Sequence, residues 1–459
     1  MLFRLSFWED RPLDITVYFI LMAEASMALV LLWFSGVLKK NAHVFLAGAL
    51  IAAAFILRGS MLNYVTLDYQ DFLSVWVNNF RISGGLKGLG QSVGNYNVPY
   101  LTILALISQS AVSDLYLIKT VSIFFDVILA WSVMKITGHF VKSAERQLVA
   151  FFLVLFWPTV VLNGALWGQC DSIYVAFAVL SIALALDDRP WLSIAAIGAS
   201  FAFKLQAVFF IPAFLPFMLR GKIRWKHLLA FPAVNVLLVL PAVFAGRGLF
   251  DALTIGFQET GSIGSGLNYN SPSLFAFFRN VQNPEQAASF GIIAAALVIA
   301  MVTVVFFWKR KTASDKALLV AATLLSVAIP FFLPHMHDRY FYGADMMTLA
   351  LGCVALPLMP LAALCEFASG LGYHAYLKMR YLLMMSWGAW ALIIVMGVLV
   401  AALIRELGDK PEKKPVKKQP PKTASKPKAA AKKPAQKPNQ AKAAPKKTAG
   451  SKSKPKKKA

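Results

Sequence analysis

Residues 42–57 read AHVFLAGALIAAAFIL and contain no acidic side chain, no lysine and no arginine. A membrane-spanning helix needs about 20 mostly apolar residues, and somewhat fewer where the bilayer thins. Runs of this kind recur from residue 15 to residue 404, and 58% of the chain is hydrophobic, against about 45–50% in a typical soluble domain. The sequence therefore predicts an all-α polytopic membrane protein.

The apolar runs predict about 13 transmembrane helices, within a range of about 12–14. They lie near residues 15–38, 43–58, 115–137, 148–163, 172–186, 191–206, 207–219, 228–245, 287–307, 316–333, 344–356, 358–376 and 381–404. Pro357 and Pro360 interrupt the apolar stretch 344–376. We therefore expect two short helices there. The number of transmembrane helices is then odd, which places the N-terminus outside and the C-terminus inside.

Basic residues cluster in four of the predicted connections: Lys39–Lys40, Lys142–Arg146, Arg220–Lys226 and Lys309–Lys311. Lysine and arginine are enriched in cytoplasmic loops, so this side should be cytoplasmic. The other side then receives loops 59–114, 163–171, 246–286 and 334–343, which hold most of the unusual polar residues. A large first outer loop with juxtamembrane helices is expected on this extracytoplasmic face, together with the site of any chemistry.

The C-terminal segment 409–459 is rich in Lys, Pro and Ala and contains no aromatic residue. It carries +17 of the formal net charge of +24. Such a composition cannot bury a core, so we expect a disordered cytoplasmic tail after a membrane domain over 1–408. The tail should lie on anionic lipid headgroups. The same charge could contact nucleic acid, but no aromatic residue interleaves the lysines, and no nucleic-acid partner is expected.

Cys170, Cys353 and Cys365 form no CxxC pair, which argues against a disulfide or a zinc site. The nucleotide-binding and metalloprotease patterns GxGxxG, Walker A and HExxH do not occur in the sequence. We therefore expect neither a cofactor nor a metal.

Two acids stand among aromatic residues in LDYQDFLSVWV (67–77), ahead of the glycine-rich loop ISGGLKGLGQSVGNYN (82–97). Asp68 and Asp71 are three residues apart, so both could face one side of a helix lying at the membrane surface. A carboxylate there could act as a general base toward a hydroxyl group. Alternatively, Asp68 could cap the helix or be simply solvated.

Two further stretches place polar residues between apolar runs. LNGALWGQCDS (162–172) could be a tight turn with Asp171 as helix cap, or the wall of a site in which Gln169 and Asp171 bind a polyhydroxyl substrate. FAFKLQAVFFIP (201–212) places Lys204 within a predicted apolar helix. A lysine at membrane depth marks function or pairs with an acid, unless it snorkels to the surface, and near the outer face it suits a phosphate.

PHMHDRYFYG (334–343) brings His335, His337, Asp338 and Arg339 together. A metal site is one interpretation, although two histidines lack a third ligand nearby. A phosphate or diphosphate site using His337 and Arg339 is another, because arginine matches phosphate oxygens bidentately. Interfacial anchoring by the following aromatic residues is the third.

These motifs together resemble the GT-C superfamily of polytopic glycosyltransferases. The order is D-Y-x-x-F-x-x-x-W, G-N-Y-N-x-P-Y (94–100), I-K-x-V-S-I-x-x-D (118–126), L-N-G-A-x-W-G-Q-x-D-S, a K-x-Q-A and P-x-M-H-D-R-Y-F. The resemblance runs from about residue 43 to residue 376. Within the superfamily, the chain is most similar to bacterial relatives of the GPI-anchor and lipid-linked-oligosaccharide mannosyl- and glucosyltransferases. The added N-terminal helix, 15–38, is a departure from that pattern.

The resemblance implies a hexosyltransferase that takes a sugar, mannose by analogy, from a polyprenyl-phosphate carrier at the extracytoplasmic face. It implies Asp68 as catalytic base, with Asp71 as the second choice. Lys204, His337 and Arg339 match positions near the carrier phosphate. The substrate-binding residues that it implies are Gln169, Asp171, Trp167, Tyr96 and Asn97. The acceptor could be a glycolipid, a wall polymer or a protein.

The expected reaction is one in-line displacement that inverts the anomeric centre, since the acceptor oxygen enters opposite the departing phosphate. Two other functions fit many helices with buried charge. One is a transporter or lipid-linked-sugar flippase, but no internal repeat is evident. The other is a scaffold that recruits partners through the lysine-rich tail.

Overall fold

A computed structural model describes residues 6–10, 12–257, 266–278 and 280–408 of the chain. The predicted tail, 409–459, lies outside these described residues, as does the segment 258–265 of the predicted outer loop 246–286.

Helices dominate the described chain. The α-helices are α1 (Ile15–Phe34), α2 (Asn41–Gly59), α3 (Ser74–Ile82), α4 (Val98–Ile107), α5 (Asp114–Phe140), α6 (Ala144–Leu155), α7 (Pro158–Val161), α8 (Asp171–Leu186), α9 (Pro190–Phe203), α10 (Phe214–Leu219), α11 (Ala230–Phe244), α12 (Leu249–Thr254), α13 (Pro284–Lys309), α14 (Asp315–Phe332), α15 (Tyr342–Val354), α16 (Met359–Leu377) and α17 (Met385–Gly408). The strands are β1 (Phe7–Trp8), β2 (Tyr64–Val65), β3 (Asn268–Tyr269) and β4 (Met336–His337). β1 pairs antiparallel with β2, and β3 pairs parallel with β4.

Short polar side chains begin several of the long helices. Asp14 Oδ1 accepts a hydrogen bond from the Thr16 main-chain N–H at 2.7 Å, at the start of α1. Ser314 Oγ accepts from the Ala317 main-chain N–H at 3.1 Å, at the start of α14. The first N–H groups of a helix lack intrahelical partners, so these caps define where the apolar segments become helical.

Among the described residues, eight helices are long and apolar enough to cross a membrane, and a ninth crossing results if the bent pair α6–α7 is one span. Shorter apolar helices cover Val98–Ile107, Asp171–Leu186, Pro190–Phe203 and Leu205–Leu219. The chain is thus an all-α polytopic membrane protein, as predicted. The number 13 stays a prediction.

The helix predicted over 148–163 is broken. α6 ends at Leu155, and the chain continues from Pro158 at an angle of 48° through α7 and a π-helical turn, Leu162–Trp167. Proline cannot donate the hydrogen bond that a continuing helix requires, and its ring clashes with the preceding turn. By contrast, the break predicted at Pro357–Pro360 is present, between the end of α15 and the start of α16.

The prediction that Lys204 lies within a helix is wrong. α9 ends at Phe203, and Lys204 has an extended backbone with φ −152° and ψ 133°. Short 3-10 turns, Leu205–Phe209 and Ile211–Ala213, follow before α10. Pro212 and Pro216 lack main-chain donors, so one regular helix over 207–219 is disfavoured.

The basic connections lie at one end of the helical bundle. Lys40 Nζ lies 3.1 Å from Glu145 Oε1, and Lys222 Nζ lies 3.2 Å from Asp315 Oδ2. His139, at the end of α5, also contacts Asp315, with 3.0 Å between Nε2 and Oδ2. These contacts join four connections that the sequence assigned to one side. Which side of the membrane they face stays a prediction.

The long helix α5 occupies the centre and packs against α1, α6, α8 and α15. Its first turns lie beside the first loop, 60–97, and beside the turn that joins the π-helical segment to α8. α5 therefore reaches from the basic end of the bundle to the opposite end, where the polar motifs of the predicted outer loops meet.

Candidate active site

A cavity of about 380 Å³ lies at the end of the bundle opposite the basic connections. Its walls come from the first loop, the turn before α8, the β3–β4 pair and the last turns of α16. The lining residues are Asp68, Phe72, Leu73, Trp76, Asn95, Tyr96, Gln169, Tyr269, Asn270, His337, Asp338, Arg339, Tyr340 and Tyr376. This volume falls within the range of about 300–1,000 Å³ that is usual for small-molecule sites.

Asp68 is held in this wall by two neutral donors. Trp167 Nε1 donates to Asp68 Oδ2 at 2.9 Å, and Gln169 Nε2 donates to the same oxygen at 2.5 Å. The Asp68 main-chain N–H donates to Tyr376 Oη at 3.1 Å. Asp68 precedes the π-helical turn Tyr69–Leu73, and its side chain makes no capping bond. The carboxylate is therefore oriented by the site, and the capping alternative does not describe it.

The turn 167–169 directs both donors toward Asp68. It follows the π-helical segment and reverses at Gly168, whose φ of +82° is accessible mainly to glycine. The Gln169 main-chain N–H donates to the Asn163 carbonyl at 2.9 Å, which closes the turn. The Trp167 ring stacks on Tyr376, with centroids 4.1 Å apart and planes 12° apart. Trp167 and Gln169 thus flank a hydrogen-bonded reversal that faces the first loop.

Arg339 lies among three carboxylates. The shortest N–O distances are 3.3 Å to Asp171 and 3.6 Å to Asp338, and Nη1 lies 3.9 Å from Asp68 Oδ2. The guanidinium also lies over the Trp167 ring, 5.3 Å from its centroid. Although burial opposes the charge, Tyr96 and the surrounding carboxylates keep the pKa of Arg339 above its usual range. The cavity therefore contains a permanent cation suited to an anionic group of a substrate.

His337 and Asp338 are both driven toward their neutral forms. Burial, together with the neighbouring Arg339, lowers the pKa of His337 to about 4. Burial raises the pKa of Asp338 to about 7, outweighing the attraction of Arg339. The His337 ring stacks on Tyr269, with centroids 4.7 Å apart, because β3 pairs with β4. At neutral pH, His337 offers a hydrogen-bonding imidazole rather than a charge.

Asp171 and Lys204 form a buried pair behind the cavity wall. Lys204 Nζ lies 2.5 Å from Asp171 Oδ1, and both side chains are almost completely buried. Asp171 Oδ2 accepts from Asn163 Nδ2 at 2.9 Å and faces Arg339 Nε. Asp171 is the first residue of α8 and does not cap it with its side chain, since Cys170 occupies the cap position. Asp171 thus links Lys204 to Arg339, and Lys204 does not line the cavity.

The remaining predicted residues are Tyr96, Asn97 and Asp71, and of these Tyr96 alone lines the cavity. Tyr96 lines the cavity, and its ring lies under Lys204 at 5.5 Å. Asn97 turns away and donates from Nδ2 to the Phe201 carbonyl at 3.0 Å. Asp71 is exposed and is not part of the cavity lining. The wider π-helical turn between Asp68 and Asp71 accounts for their separation.

Sequence reasoning missed three residues of this region. Tyr376 and Tyr269 lie outside the sequence motifs that predict the site, and nothing in their sequence surroundings distinguishes them. Lys119 carried a signal: it is a basic residue within the predicted span 115–137, where charge is costly. It is completely buried and contacts the first loop.

Comparison with known proteins identifies the family. The family model for glycosyltransferase family 87 matches residues 96–334, slightly more than half of the chain. The match includes Gln169, Asp171 and Lys204, whereas Asp68 lies well before its start at residue 96 and Arg339 lies shortly after its end at residue 334. No curated protein matches the chain. The chain belongs to glycosyltransferase family 87 and is a membrane glycosyltransferase of the GT-C type.

Proposed function

We propose that this glycosyltransferase moves a hexose, mannose in the first instance, from a polyprenyl-phosphate carrier to an extracytoplasmic acceptor. One observation carries the proposal. The Asp68 carboxylate lies in the wall of a sugar-sized cavity, held by Trp167 and Gln169 and 3.9 Å from the Arg339 guanidinium. A carboxylate and a cation side by side are what a base and an anionic leaving group require. Mannose and the carrier come from the resemblance to lipid-linked mannosyltransferases.

In the proposed step, Asp68 accepts the proton of the acceptor hydroxyl as its oxygen attacks the anomeric carbon. The bond between that carbon and the carrier phosphate breaks, and the phosphate oxygen leaves with the electron pair. Arg339 stabilises the developing negative charge, and neutral His337 can donate a hydrogen bond. One displacement inverts the anomeric centre. A phosphate is already a good leaving group, so the scheme needs no general acid and no metal.

The structure suggests a revised part for Lys204. Its ammonium group is bound to Asp171 and is 2% exposed, so direct contact with the carrier phosphate would require the pair to separate. We assign Lys204 to holding Asp171, which in turn orients Arg339. Gln169 and Trp167 orient the base, and Tyr96 offers an aromatic wall to the sugar. The acceptor, whether a glycolipid, a wall polymer or a protein, would approach from the side of Asp68.

Transfer of radiolabelled mannose from synthetic polyprenyl-phosphate-mannose in membranes tests the proposal. We expect Asp68→Asn to lower transfer by about 10²–10⁴-fold, the usual contribution of a general base. Asp71→Asn is the matched control, because it removes an exposed carboxylate three residues away. Loss in Asp71→Asn alone would move the base to Asp71. Equal transfer by all three proteins would overturn the base assignment. Absence of any transfer by the wild type, with other carrier-linked sugars also inactive, would overturn the donor.

A further inference from the structure

Lys119 is a completely buried lysine in the second turn of α5. Its Nζ donates hydrogen bonds to the carbonyl oxygens of Met61 at 3.1 Å, Leu62 at 2.9 Å and Tyr64 at 2.6 Å. An ammonium group has three N–H donors, so the three carbonyls match its full hydrogen-bonding capacity. All three belong to the segment between the end of α2 and Asp68.

The aliphatic part of the Lys119 side chain lies against the turn at Gly168, on the other side of Asp68 from the segment 61–64. A methyl group added at Gly168 would lie 3.6 Å from Lys119 Cγ and 3.7 Å from Lys119 Cε. The lysine stem therefore packs directly against the turn whose flanking side chains, Trp167 and Gln169, donate to Asp68. One side chain thus touches both the segment that carries the base and the turn that orients it.

Two neighbours on the same face of α5 continue this arrangement. Tyr116 Oη donates to Asn63 Oδ1 at 3.0 Å, and Ser122 Oγ donates to the Gln169 carbonyl at 2.6 Å. Residues 116, 119 and 122 are spaced by three, which aligns them along one helical face. This polar face of α5 spans the distance between the first loop and the 167–169 turn.

We infer that Lys119 is a positioning residue for the transfer reaction, fixing the Asp68 carboxylate relative to Trp167 and Gln169. The inference rests on the proposed function, in which Asp68 is the base. Without Lys119 each of these carbonyls next to Asp68 would lose a donor, although the Met61 carbonyl also accepts from the Tyr64 main-chain N–H at 3.2 Å. The segment would then have to satisfy the lost hydrogen bonds elsewhere, and small displacements of a reacting group are costly in rate. Lys119 itself is not one of the residues that line the cavity.

The test is Lys119→Met, which keeps the aliphatic stem and removes the three donors. We expect kcat per folded molecule to fall by about tenfold to a hundredfold, as for a base displaced by about 1 Å. The KM for polyprenyl-phosphate-mannose should stay within about twofold, because the phosphate-binding residues are untouched. Lys135→Met is the matched control: it removes a lysine from the same helix, where Lys135 pairs with Asp187 at 3.6 Å. A lower yield of folded protein with unchanged kcat would show a purely structural role and overturn the inference.

A second comparison identifies the residue through which Lys119 acts. In an Asp68→Asn background, Lys119→Met should cause no further loss, because the group it positions is already inactive. An equal loss in both backgrounds would overturn the inference while leaving Asp68 as the base. Full transfer by Asp68→Asn alone would instead overturn the proposed base.

If Lys119→Met does not fold, Tyr116→Phe combined with Ser122→Ala tests the same face of α5. These changes remove one hydroxyl from each side of the site and leave the buried charge in place. A fall in kcat with unchanged KM supports the positioning role, and unchanged kcat overturns it.

Discussion

Arg339 Nη1 lies 3.9 Å from Asp68 Oδ2, close enough for attraction but beyond hydrogen-bonding distance. The Asp68 carboxylate is instead hydrogen-bonded by two neutral donors, Trp167 and Gln169. The guanidinium is therefore not needed to orient the base. It is available to stabilise the negative charge of a substrate phosphate. Trp167 and Gln169 thus orient the base, and Arg339 stabilises charge.

Gln169→Leu should lower kcat by about tenfold to a hundredfold, since a hydrogen bond to a charged group is worth about 1.5–3 kcal/mol. The substitution removes one of the two hydrogen bonds to Asp68 Oδ2 and leaves the residues around the carrier phosphate in place. KM for the carrier-linked sugar should therefore change less than kcat. Steady-state transfer assays at several donor concentrations measure both constants. Gln91→Leu is a control on an exposed glutamine of the first loop. Unchanged kcat in Gln169→Leu would contradict the orienting role.

Arg339→Lys should raise KM for the carrier-linked donor and lower kcat. Arg339 contacts Asp171 through Nε, and its planar guanidinium has further N–H groups for a substrate phosphate. Lysine keeps the charge but loses this planar fork. Titration of transfer against donor concentration checks this, with Arg310→Lys at the basic end of the bundle as control. Wild-type constants in Arg339→Lys would show that a point charge suffices and that the fork has no part in the reaction.

Lys204→Met should destabilise the folded protein by at most about 3–5 kcal/mol, because the buried Asp171 loses its ammonium partner and keeps Arg339, 3.3 Å away, as a neighbouring cation. Adding Asp171→Asn should recover part of that loss, since the carboxylate that lost its partner is then neutral. Thermal unfolding of the purified single and double variants in one detergent measures the coupling. Strictly additive losses would show that the two side chains act independently.

Stability should depend on pH through Asp338. Burial raises its pKa from an ordinary 3.8 to about 7, so the folded protein holds this proton more tightly than the unfolded chain. The contribution of Asp338 to stability is therefore greatest below about pH 4, declines as pH rises to about 7, and is constant above. Asp338→Asn should remove this decline.

His337 contributes a slope of opposite sign over an overlapping range, because its pKa is lowered from 6.5 to about 4. The measurement is therefore the difference in unfolding free energy between the wild type and Asp338→Asn, in which the contribution of His337 largely cancels. Measured from about pH 4.5 to about pH 8, this difference should shift in favour of the variant as pH rises. A difference that is constant with pH would contradict the raised pKa.

Removal of residues 409–459 should leave transfer per molecule unchanged. The polar motifs of the site all precede residue 377, and the tail has the composition of a solvated basic arm. Transfer assays on full-length and truncated protein in identical vesicles test this. A chain that functions as a scaffold through its tail would lose its function on truncation.

Much of the fold follows from the sequence. Apolar runs and basic clusters predicted a polytopic helical bundle with its basic connections together at one end, and the contacts of Lys40 and Lys222 place them so. The physical reason is that a bilayer offers no hydrogen bonds, so a spanning chain must be helical wherever it is apolar. The motifs around Asp68, Gln169 and Arg339 also indicated which loops would meet.

Only the tertiary structure separated residues that look alike in sequence. Asp68 and Asp71 are equally acidic and three residues apart, yet a π-helical turn directs only Asp68 into the cavity. Lys204 and Lys119 both read as charges at membrane depth, but one pairs with Asp171 and the other with three carbonyls. Tyr376 reaches Asp68 across 308 residues of chain. Hydropathy and charge are properties of single segments, whereas a partner is decided by where distant segments pack. The sequence therefore determined the class of protein and its polar loops, and the packing decided which side chains form the site.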